Sequence, residues 1–461
     1  MLKPIVSISG IRGIIGKSLF PENIIKYVSA FAKYIGHKRV VIGRDGRLFG
    51  GEIEKIIEAA LIFNGCEVIN LGIAPTPTIT LAVETLKAQG GISITASHNP
   101  QEWNGMKFIN SKGIFLNAEE NKKFLKFLDE ESDKIFTWNK LKQVEYYPSF
   151  FDYHINKVLN IKSLNLRKIK QRKFKVVLDC VNSSGSVILP MLLKKLGCSV
   201  IKIDCDSSGI FTRKPEPILE NIKNTCSAVK KNKADLGIVV DPDADRLVLI
   251  NEKGEPYVEE YTIVTCINHV LKNVPQNKRI AVANLSTTYA VDTVVKELGG
   301  KLYKSPVGEI NVIEKMKKVK AVIGGEGSGG VILPEVHYGR DSLVGIALVL
   351  SEFAEFGGKV SEYKKRLPEY YIAKTKLPLP VREDSFGEGG AGDSIITALK
   401  EKYFSFPQNE EDGLRIDFPE NRGWVNFRKS NTEPILRIIT EAKSKKEAEE
   451  LQKEIIKQIS L

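Results

Sequence analysis

A serine and a histidine stand side by side in the hexapeptide Thr95-Ala-Ser-His-Asn-Pro100, directly after the apolar stretch 91–94. The apolar stretch is typical of a buried strand, and Asn-Pro prevents the chain from continuing as a helix. Short loops held by rigid strands often carry catalytic groups. Ser97 is therefore a candidate nucleophile and His98 a candidate catalytic neighbour, although a Ser-His pair alone is commonly surface decoration.

Three aspartates, Asp241, Asp243 and Asp245, follow the apolar stretch 236–240 at every second position. In an extended chain such side chains project to one side, and their charges repel unless a cation lies among them. Carboxylate oxygens suit Mg²⁺, and an EF-hand is excluded because its sixth position needs Gly and holds Arg246. A phosphatase of the haloacid dehalogenase type, with Asp241 as nucleophile, and a capped acidic turn remain alternatives.

Two further loops carry side chains suited to a phosphorylated sugar. Residues 324–330 include five glycines around Glu326 and Ser328, so a ligand can approach closely and Glu326 can accept hydrogen bonds from sugar hydroxyls. Read alone, this loop is equally well a flexible hairpin. The second loop offers a compact donor set for a phosphate dianion, formed by Arg428, Ser430, Asn431 and Thr432.

Composition narrows the class of protein. The 461 residues are 42% hydrophobic and 27% charged, which is typical of a soluble globular protein with room for about three domains. No apolar run approaches the roughly 20 residues that cross a bilayer, and the start lacks the apolar core of a signal peptide. Six scattered cysteines without a CxxC pair favour free thiols in a reducing cytoplasm.

The net charge of +12, from 68 basic and 56 acidic residues, favours anionic partners. The densest basic run, 162–175, holds seven basic residues and no acid. A nucleic-acid-binding protein is one alternative, but no aromatic residues are interleaved in this run to stack on bases. A solvated segment between domains is the preferred interpretation.

Three segments, beginning near residues 38, 174 and 279, share one plan: a β-branched strand, a polar loop, an apolar helix that ends at Gly, and a second strand. Each predicts a βαβ unit in a largely parallel sheet, and their spacing predicts three related α/β domains. After about residue 370 the pattern changes. A linker is predicted at 377–380, followed by short strands and a final helix with a capping box from Ser444 to Glu447, which together indicate an α+β domain.

Taken together and in this order, the four loops resemble those of the α-D-phosphohexomutase superfamily over essentially the whole chain. The resemblance implies three related mixed-sheet α/β domains and a C-terminal α+β domain around a central cleft, with one loop from each domain. The expected domains are 1–152 with the phosphoserine loop, 153–255 with the metal loop, 256–369 with the sugar loop and 370–461 with the phosphate loop.

By this resemblance, Ser97 is phosphorylated in the active enzyme and passes its phosphoryl group to a free sugar hydroxyl. The bisphosphorylated sugar then turns end for end and returns its other phosphate to Ser97. Arg12 matches the family's N-terminal arginine near the phosphoserine, and Lys107 matches a lysine implicated in proton transfer. Both would neutralise charge on the transferring group. The implied ligands of Mg²⁺ are Ser97, Asp241, Asp243 and Asp245.

The resemblance also implies which residues bind the substrate and which sugar is preferred. Gly330 stands where enzymes for mannose and glucose phosphates often have His, and the segment 305–309 resembles phosphoglucosamine mutases, whereas Asn431 resembles the mannose and glucose enzymes. We therefore predict conversion of glucosamine 6-phosphate to glucosamine 1-phosphate, with phosphomannomutase/phosphoglucomutase activity as the alternative. The implied substrate-binding residues are Glu326, Ser328, Arg246, Arg428, Ser430, Asn431 and Thr432.

The remaining expectations concern partners and location. The cofactors are Mg²⁺ and a bisphosphorylated sugar as activator, and the partner is a small hexose phosphate rather than nucleic acid or membrane. We expect a cytoplasmic monomer or homodimer.

Overall fold

The structure is a computed structural model that describes residues 3–8, 10–130, 136–379, 391–419, 422–429 and 435–459. Four β-sheets follow one another along the chain, and helices pack against them. Across the described part of the chain, no helix combines the length and apolar character needed to span a bilayer.

The first unit is a mixed sheet with its helices. Its strands are β1 (Ile5–Ser7), β2 (Gly10–Ile14), β3 (Val40–Arg44), β4 (Val68–Ile73), β5 (Gly90–Ile94), β6 (Trp103–Asn110) and β7 (Glu145–Tyr146). Its helices are α1 (Pro21–Tyr34), α2 (Gly50–Phe63), α3 (Thr76–Thr85) and α4 (Ala118–Lys126). The strand order is β1-β2-β6-β5-β3-β4-β7.

The second unit is a smaller sheet in the order β11-β10-β8-β9. These strands are β8 (Lys175–Asp179), β9 (Ser199–Ile203), β10 (Leu236–Val240) and β11 (Leu247–Asn251). The helices are α5 (Phe150–Leu159), α6 (Leu166–Arg172), α7 (Gly185–Lys195) and α8 (Lys223–Lys231).

The third unit repeats this arrangement in the order β15-β14-β12-β13. Its strands are β12 (Ile280–Asn284), β13 (Lys301–Ser305), β14 (Ile323–Glu326) and β15 (Gly330–Ile332). The helices are α9 (Glu260–Lys272), α10 (Tyr289–Glu297), α11 (Glu309–Val319), α12 (Ser342–Phe356) and α13 (Val360–Lys364).

The fourth unit is an antiparallel sheet in the order β16-β20-β19-β18-β17. The strands are β16 (Tyr371–Pro378), β17 (Gln408–Asn409), β18 (Leu414–Phe418), β19 (Gly423–Lys429) and β20 (Ile435–Ala442). Two helices, α14 (Ala391–Lys402) and α15 (Lys445–Ile459), belong to it. Ser444 caps α15, because its Oγ accepts from Glu447 N at 3.2 Å, which is one of the two hydrogen bonds of the predicted capping box.

The first three sheets share one core topology, which explains the repeat in the sequence. In each, three parallel strands are followed by an antiparallel fourth strand, in the orders β6-β5-β3-β4, β11-β10-β8-β9 and β15-β14-β12-β13. The glycines predicted to end the repeated helices, Gly65, Gly197 and Gly299, all adopt the left-handed conformation that favours glycine at a helix C-terminus. The predicted fold class is confirmed.

The shared topology also places the functional loops. In each of the three units, the chain between the third and fourth strands contains one predicted motif: Ser97 follows β5, Asp241 to Asp245 follow β10, and Ser328 lies between β14 and β15. Ligands of open α/β sheets bind beyond the carboxyl ends of the parallel strands. The three motifs therefore occupy equivalent positions, each at the carboxyl end of a central strand.

Two local predictions need correction. Leu377 and Pro378 belong to β16, not to a linker, because β16 is an edge strand and tolerates Pro. The basic run 162–175 has its basic side chains at the surface, as predicted, but it contains helix α6 of the second unit, which buries Ile169, and so it is not a segment between domains. The second and third sheets are largely parallel, as predicted, whereas the first sheet has as many antiparallel as parallel pairings.

Candidate active site

Ser97 lies in a tightly held turn after β5. Its φ of 51° is unusual for a residue other than Gly, and the Thr95 hydroxyl accepts a hydrogen bond from Ser97 N at 2.8 Å. The side chain is buried, with Oγ 3.2 Å from Asp241 Oδ2 and 3.4 Å from His98 Nδ1. The turn thus aims the serine hydroxyl at the acidic loop of the second unit.

Sequence reasoning missed the residue that holds this turn. Arg47 is buried, and it donates to the carbonyl oxygens of Ser97, Asn99 and Pro100 at 2.6 to 2.8 Å. Its Nε is 3.0 Å from Asp45 Oδ2. The one sequence signal was the polar loop that follows β3, which belongs to the first of the three repeats.

Asp241, Asp243 and Asp245 are buried, and one oxygen from each lies within 4.8 Å of the others. They converge through a turn, not through the predicted extended chain: Ala244 has a φ of 51°, and its N donates to the carbonyl of Asp241. Asp243 Oδ1 and Asp245 Oδ1 are buried without a hydrogen-bond partner. Buried carboxylates that converge in this way and keep unpartnered oxygens are a donor set for a hard cation, so this cluster can hold a metal.

Asp241 and Asp245 of the acidic cluster have pKa values shifted in opposite directions. Burial, together with the other two aspartates, raises the pKa of Asp241 well above its usual value. Burial also opposes ionisation of Asp245, but nearby Arg340, Lys107 and Arg246 lower the pKa of Asp245 below its usual range. A bound cation would therefore favour the ionised form of Asp241, which faces Ser97.

Lys107 lies on β6 and is buried against the cluster, with Nζ 2.6 Å from Asp243 Oδ2 and 3.4 Å from Asp245 Oδ2. Burial alone would lower its pKa, but these carboxylates raise the pKa of Lys107 above the ordinary value. The side chain is therefore an ammonium at neutral pH. It can stabilise negative charge or donate a proton, and it cannot serve as a base in this state.

Arg12 and His98 complete the surroundings of Ser97. Arg12 lies on β2, which pairs with β6, and its Nη1 donates to Asn99 Oδ1 at 3.1 Å, while Nε is buried without a partner. The charge of nearby Arg246, then burial and Arg12, lower the pKa of His98 to about 2. His98 is consequently a neutral imidazole beside the serine hydroxyl.

Glu326 ends β14 in a tight hairpin, so the glycine-rich loop is a hairpin as well as a candidate site. Its Oε1 accepts from Asn284 Nδ2 at 2.9 Å and from Gly308 N at 3.0 Å, and its Oε2 lies 2.6 Å from Arg340 Nη1. Burial opposes ionisation, but Arg340 and Asn284 lower the pKa of Glu326. Ser328 and Arg246 line a neighbouring cavity of about 700 Å³.

Arg428 lies near the end of β19, where Nε donates to Asp412 Oδ1 at 3.1 Å. The other oxygen of Asp412 accepts from Val307 N at 2.9 Å, so Asp412 links Arg428 to the segment 305–309. The other predicted members of this loop, Ser430, Asn431 and Thr432, lie outside the described residues.

The structure therefore brings most of the predicted residues together. Ser97, His98, Arg12 and Lys107 of the first unit meet the acidic loop of the second, while Glu326 is joined to that loop through Arg340. Buried carboxylates, converging cations and a serine hydroxyl are a set of groups suited to phosphoryl transfer. Arg340, Arg47 and Asp412 were not predicted, because each is an isolated polar residue outside the predicted motifs. Glu309 belongs to the segment 305–309 singled out in the sequence, but no role was predicted for this residue.

Comparison with known proteins agrees with this class of enzyme. Four successive stretches match the phosphoglucomutase/phosphomannomutase family: 4–134, 152–254 and 259–371 match its alpha/beta/alpha domains I, II and III, and 392–458 match its C-terminal domain. The chain belongs to this family, and thus to the α-D-phosphohexomutase superfamily.

Relatives of known name extend over nearly the whole chain. A phosphoglucomutase/phosphomannomutase of Thermococcus kodakarensis is 35% identical over 96% of this chain and 95% of its own length. A probable phosphoglucosamine mutase of Pyrococcus abyssi is 34% identical over the same shares. The crystal structure of a phosphoglucomutase/phosphomannomutase family protein from Burkholderia thailandensis is 25% identical, with a TM-score of 0.82 and coverage of 99% and 98% of the two chains. The predicted phosphohexomutase class is confirmed.

Proposed function

We propose that this phosphohexomutase moves a phosphoryl group between the 6- and 1-positions of a hexose phosphate through phosphorylated Ser97 and a sugar bisphosphate. The observation that carries the proposal is the buried Ser97 hydroxyl, 3.2 Å from Asp241 and surrounded by groups from equivalent loops. In the first half-reaction the bond between phosphorus and Ser97 Oγ breaks and a bond from phosphorus to the sugar oxygen forms. The proton lost by that sugar hydroxyl is balanced by the proton gained by Ser97 Oγ, which leaves as a hydroxyl. After the bisphosphate turns over, its other phosphoryl group returns to Ser97.

Residues of this chain can supply electrostatic stabilisation. Lys107 as an ammonium lies against the acidic loop and Arg12 as a guanidinium against the serine loop, between which negative charge is redistributed during transfer. Asp241, Asp243 and Asp245 are the proposed Mg²⁺ ligands, with Ser97 as the fourth. Bound Mg²⁺ would neutralise part of the charge on the phosphoryl oxygens.

Glu326, Ser328 and Arg246 are proposed to bind the sugar, and the loop that begins at Arg428 to bind the phosphate that does not react. Glucosamine 6-phosphate is the proposed preferred substrate. Glu326 lies two residues before Ser328, which lines the neighbouring cavity, and a protonated amino group within reach of the Glu326 carboxylate would gain a charge-assisted hydrogen bond from it. The name of the Pyrococcus abyssi relative agrees, whereas that of the Thermococcus kodakarensis relative favours glucose and mannose phosphates.

Two alternatives are separable from the mutase. A phosphatase with Asp241 as nucleophile would release inorganic phosphate, but Asp241 accepts a hydrogen bond from Ser97 and lies in the same acidic cluster as Asp243 and Asp245. A nucleic-acid binder would show binding that weakens steeply with salt. The domain limits at residues 152, 255 and 369, a bisphosphorylated sugar as activator, a cytoplasmic location and a monomer or homodimer are also parts of the proposal.

The deciding experiment supplies the purified protein with glucosamine, glucose and mannose 6-phosphates, together with Mg²⁺ and a hexose 1,6-bisphosphate. We expect the 1-phosphate of at least one sugar to form, with the highest kcat/KM for glucosamine 6-phosphate. A higher kcat/KM for glucose or mannose 6-phosphate would overturn the substrate and leave the mutase standing. Release of inorganic phosphate without any 1-phosphate would overturn the mutase.

A further inference from the structure

Arg340 joins the acidic cluster to the sugar hairpin. Its Nη2 lies 2.5 Å from Asp245 Oδ2, its Nη1 lies 2.6 Å from Glu326 Oε2, and its Nε lies 3.1 Å from Glu309 Oε2. All three nitrogens of the guanidinium thus face a carboxylate, and only 10% of the side chain is exposed. A planar fork of donors can hold several carboxylates at fixed positions in a way that a lysine cannot.

The backbone around Arg340 is fixed as firmly as its side chain. Arg340 N donates to Glu309 Oε1 at 3.0 Å. The next residue, Asp341, caps helix α12 through Leu343 N, and its Oδ2 lies 2.8 Å from His154 Nε2 and 3.1 Å from His337 Nε2. The guanidinium is therefore presented from a rigid helix start and not from a free loop.

Gly330 provides the space that Arg340 occupies. A Cβ atom at residue 330 would lie 2.3 Å from Arg340 Cδ, which is closer than real side chains approach. The stem of Arg340 thus lies where any side chain at position 330 would begin. The two residues act as a pair: glycine at position 330 is the condition for this placement of the Arg340 side chain.

The ion pair between Arg340 and Glu326 changes the electrostatic environment of a sugar bound beside Glu326. Glu326 is ionised, yet the guanidinium next to it compensates its charge, and both of its oxygens already accept hydrogen bonds from the protein. A protonated amino group beside this pair is attracted by the carboxylate and repelled by the guanidinium. A neutral hydroxyl is much less sensitive to that balance.

We infer that Arg340 is a positioning and specificity-determining residue: it fixes Glu326 relative to Asp245, and its charge limits the preference for amino sugars over neutral hexoses. This inference rests on the proposed function. It predicts that the enzyme accepts neutral hexose phosphates as well as glucosamine 6-phosphate. Arg340 would set the ratio of kcat/KM between these two kinds of substrate.

The test compares Arg340→Gln and Arg340→Lys with the wild type on glucosamine and glucose 6-phosphates. We expect both variants to lose kcat/KM, because neither retains the fork. Arg340→Gln should shift the ratio of the two kcat/KM values toward glucosamine by about tenfold, since a positive charge is lost, while Arg340→Lys keeps the ratio near that of the wild type. Arg39→Gln, at an exposed ion pair, should change neither value.

If Arg340 had a purely structural role, its loss would lower kcat/KM equally for both substrates. An unchanged ratio of the two kcat/KM values in Arg340→Gln, with an active wild type, would therefore overturn the specificity role. A wild type without mutase activity on either sugar would instead overturn the proposed function, and this inference with it. Gly330→Ala tests positioning separately. In the otherwise wild-type enzyme, this change should lower kcat/KM by displacing Arg340. In an Arg340→Ala background it should have little further effect. Equal losses of kcat/KM in both backgrounds would contradict the pairing of Gly330 with Arg340.

Discussion

The first three units and the fourth are held to the rest of the molecule by different kinds of contact. Buried apolar side chains from the first three units form one continuous cluster, which includes Ile79, Leu178 and Val291. The fourth unit has an apolar cluster of its own, with Leu414 and Leu451 among its members. Apolar packing makes the first three units one rigid support for the serine and the acidic loop, whereas the fourth can move without exposing a shared core.

The boundary between the third and fourth units combines hydrogen bonds with an edge-on contact between the rings of Tyr289 and Trp424. Glu441 Oε2 accepts from Tyr289 N at 2.8 Å, Arg415 Nη1 donates to the carbonyl of Leu285, and Asp412 connects Arg428 to Val307. Such hydrogen bonds can be exchanged for water, so we expect the fourth unit to swing away while the bisphosphate turns over. The first three units, which form the rigid region, would then carry out phosphoryl transfer. The fourth unit, which is the mobile region, would bind the distal phosphate.

Replacing Ser97, the proposed phosphoryl carrier in the rigid region, should have the largest effect on mutase turnover. We expect Ser97→Ala to lower mutase turnover by several orders of magnitude, because the covalent relay is lost while the buried surroundings stay in place. Turnover with glucosamine 6-phosphate measures this, and Ser227→Ala on the exposed side of α8 is the control. Near-normal turnover of a folded Ser97→Ala would remove Ser97 from the mechanism.

A change of metal ligand should be nearly as damaging. Asp243→Asn keeps the size of the side chain and removes a charge from a buried donor set, so Mg²⁺ affinity should fall at least about tenfold and turnover with it. Calorimetric titration with Mg²⁺ measures the affinity, and Asp152→Asn at an exposed ion pair is the control. Unchanged Mg²⁺ affinity in the variant would place the metal elsewhere.

A change in the mobile region should act mainly on binding. Arg428→Ala removes a charged donor from the proposed distal-phosphate loop, so KM should rise about 10- to 100-fold, with a smaller fall in kcat. Steady-state kinetics separate the two parameters. A variant with wild-type KM and a large loss of kcat would mean that Arg428 acts on the reacting phosphate instead, and the proposed division between the two regions would fail.

The smallest effect concerns the boundary between the regions. Burial raises the pKa of Glu260 to about 8, and Glu260 Oε1 lies 3.8 Å from Lys374 of β16. Because the folded-state pKa lies above the unfolded value of about 4.3, this group's contribution to stability is complete at low pH and is lost as the pH rises to about 8. Chemical denaturation at pH 5 and pH 8.5 should therefore show a smaller loss of stability with pH for Glu260→Gln than for the wild type. An identical loss in both would contradict the raised pKa, and Glu119→Gln, which is exposed, serves as the control.

Sequence patterns predicted the fold because the repeated units are local. Strand, helix, terminal glycine and strand lie close together in the chain, and Gly65, Gly197 and Gly299 marked their boundaries correctly. The edge strand β16 was missed because the prolines of 377–380 outweighed its strand character, which pairing with β20 supplies. That pairing is a tertiary contact that no local pattern contains.

The candidate site was predictable only where its residues form contiguous motifs. Ser97, the three aspartates and Glu326 stood in recognisable loops, whereas Arg340 contributes through side-chain contacts with residues 14 to 95 positions away. The aspartates were expected to converge by strand alternation and instead do so through a left-handed Ala244, a conformation that residues other than glycine seldom adopt. Arg47 could not be predicted for the same reason as Arg340. Its hydrogen-bond partners lie in the loop 97–100, which is distant in the sequence.

The most direct test of the central claim follows a labelled phosphoryl group. Protein labelled at Ser97 by radioactive hexose 1,6-bisphosphate is mixed rapidly with unlabelled glucosamine 6-phosphate and Mg²⁺, and label on protein, sugar and inorganic phosphate is measured over one turnover. We predict that label leaves the protein for the sugar at least as fast as 1-phosphate forms. Formation of 1-phosphate while label stays on the protein, or passage of the label to inorganic phosphate alone, would contradict transfer through Ser97.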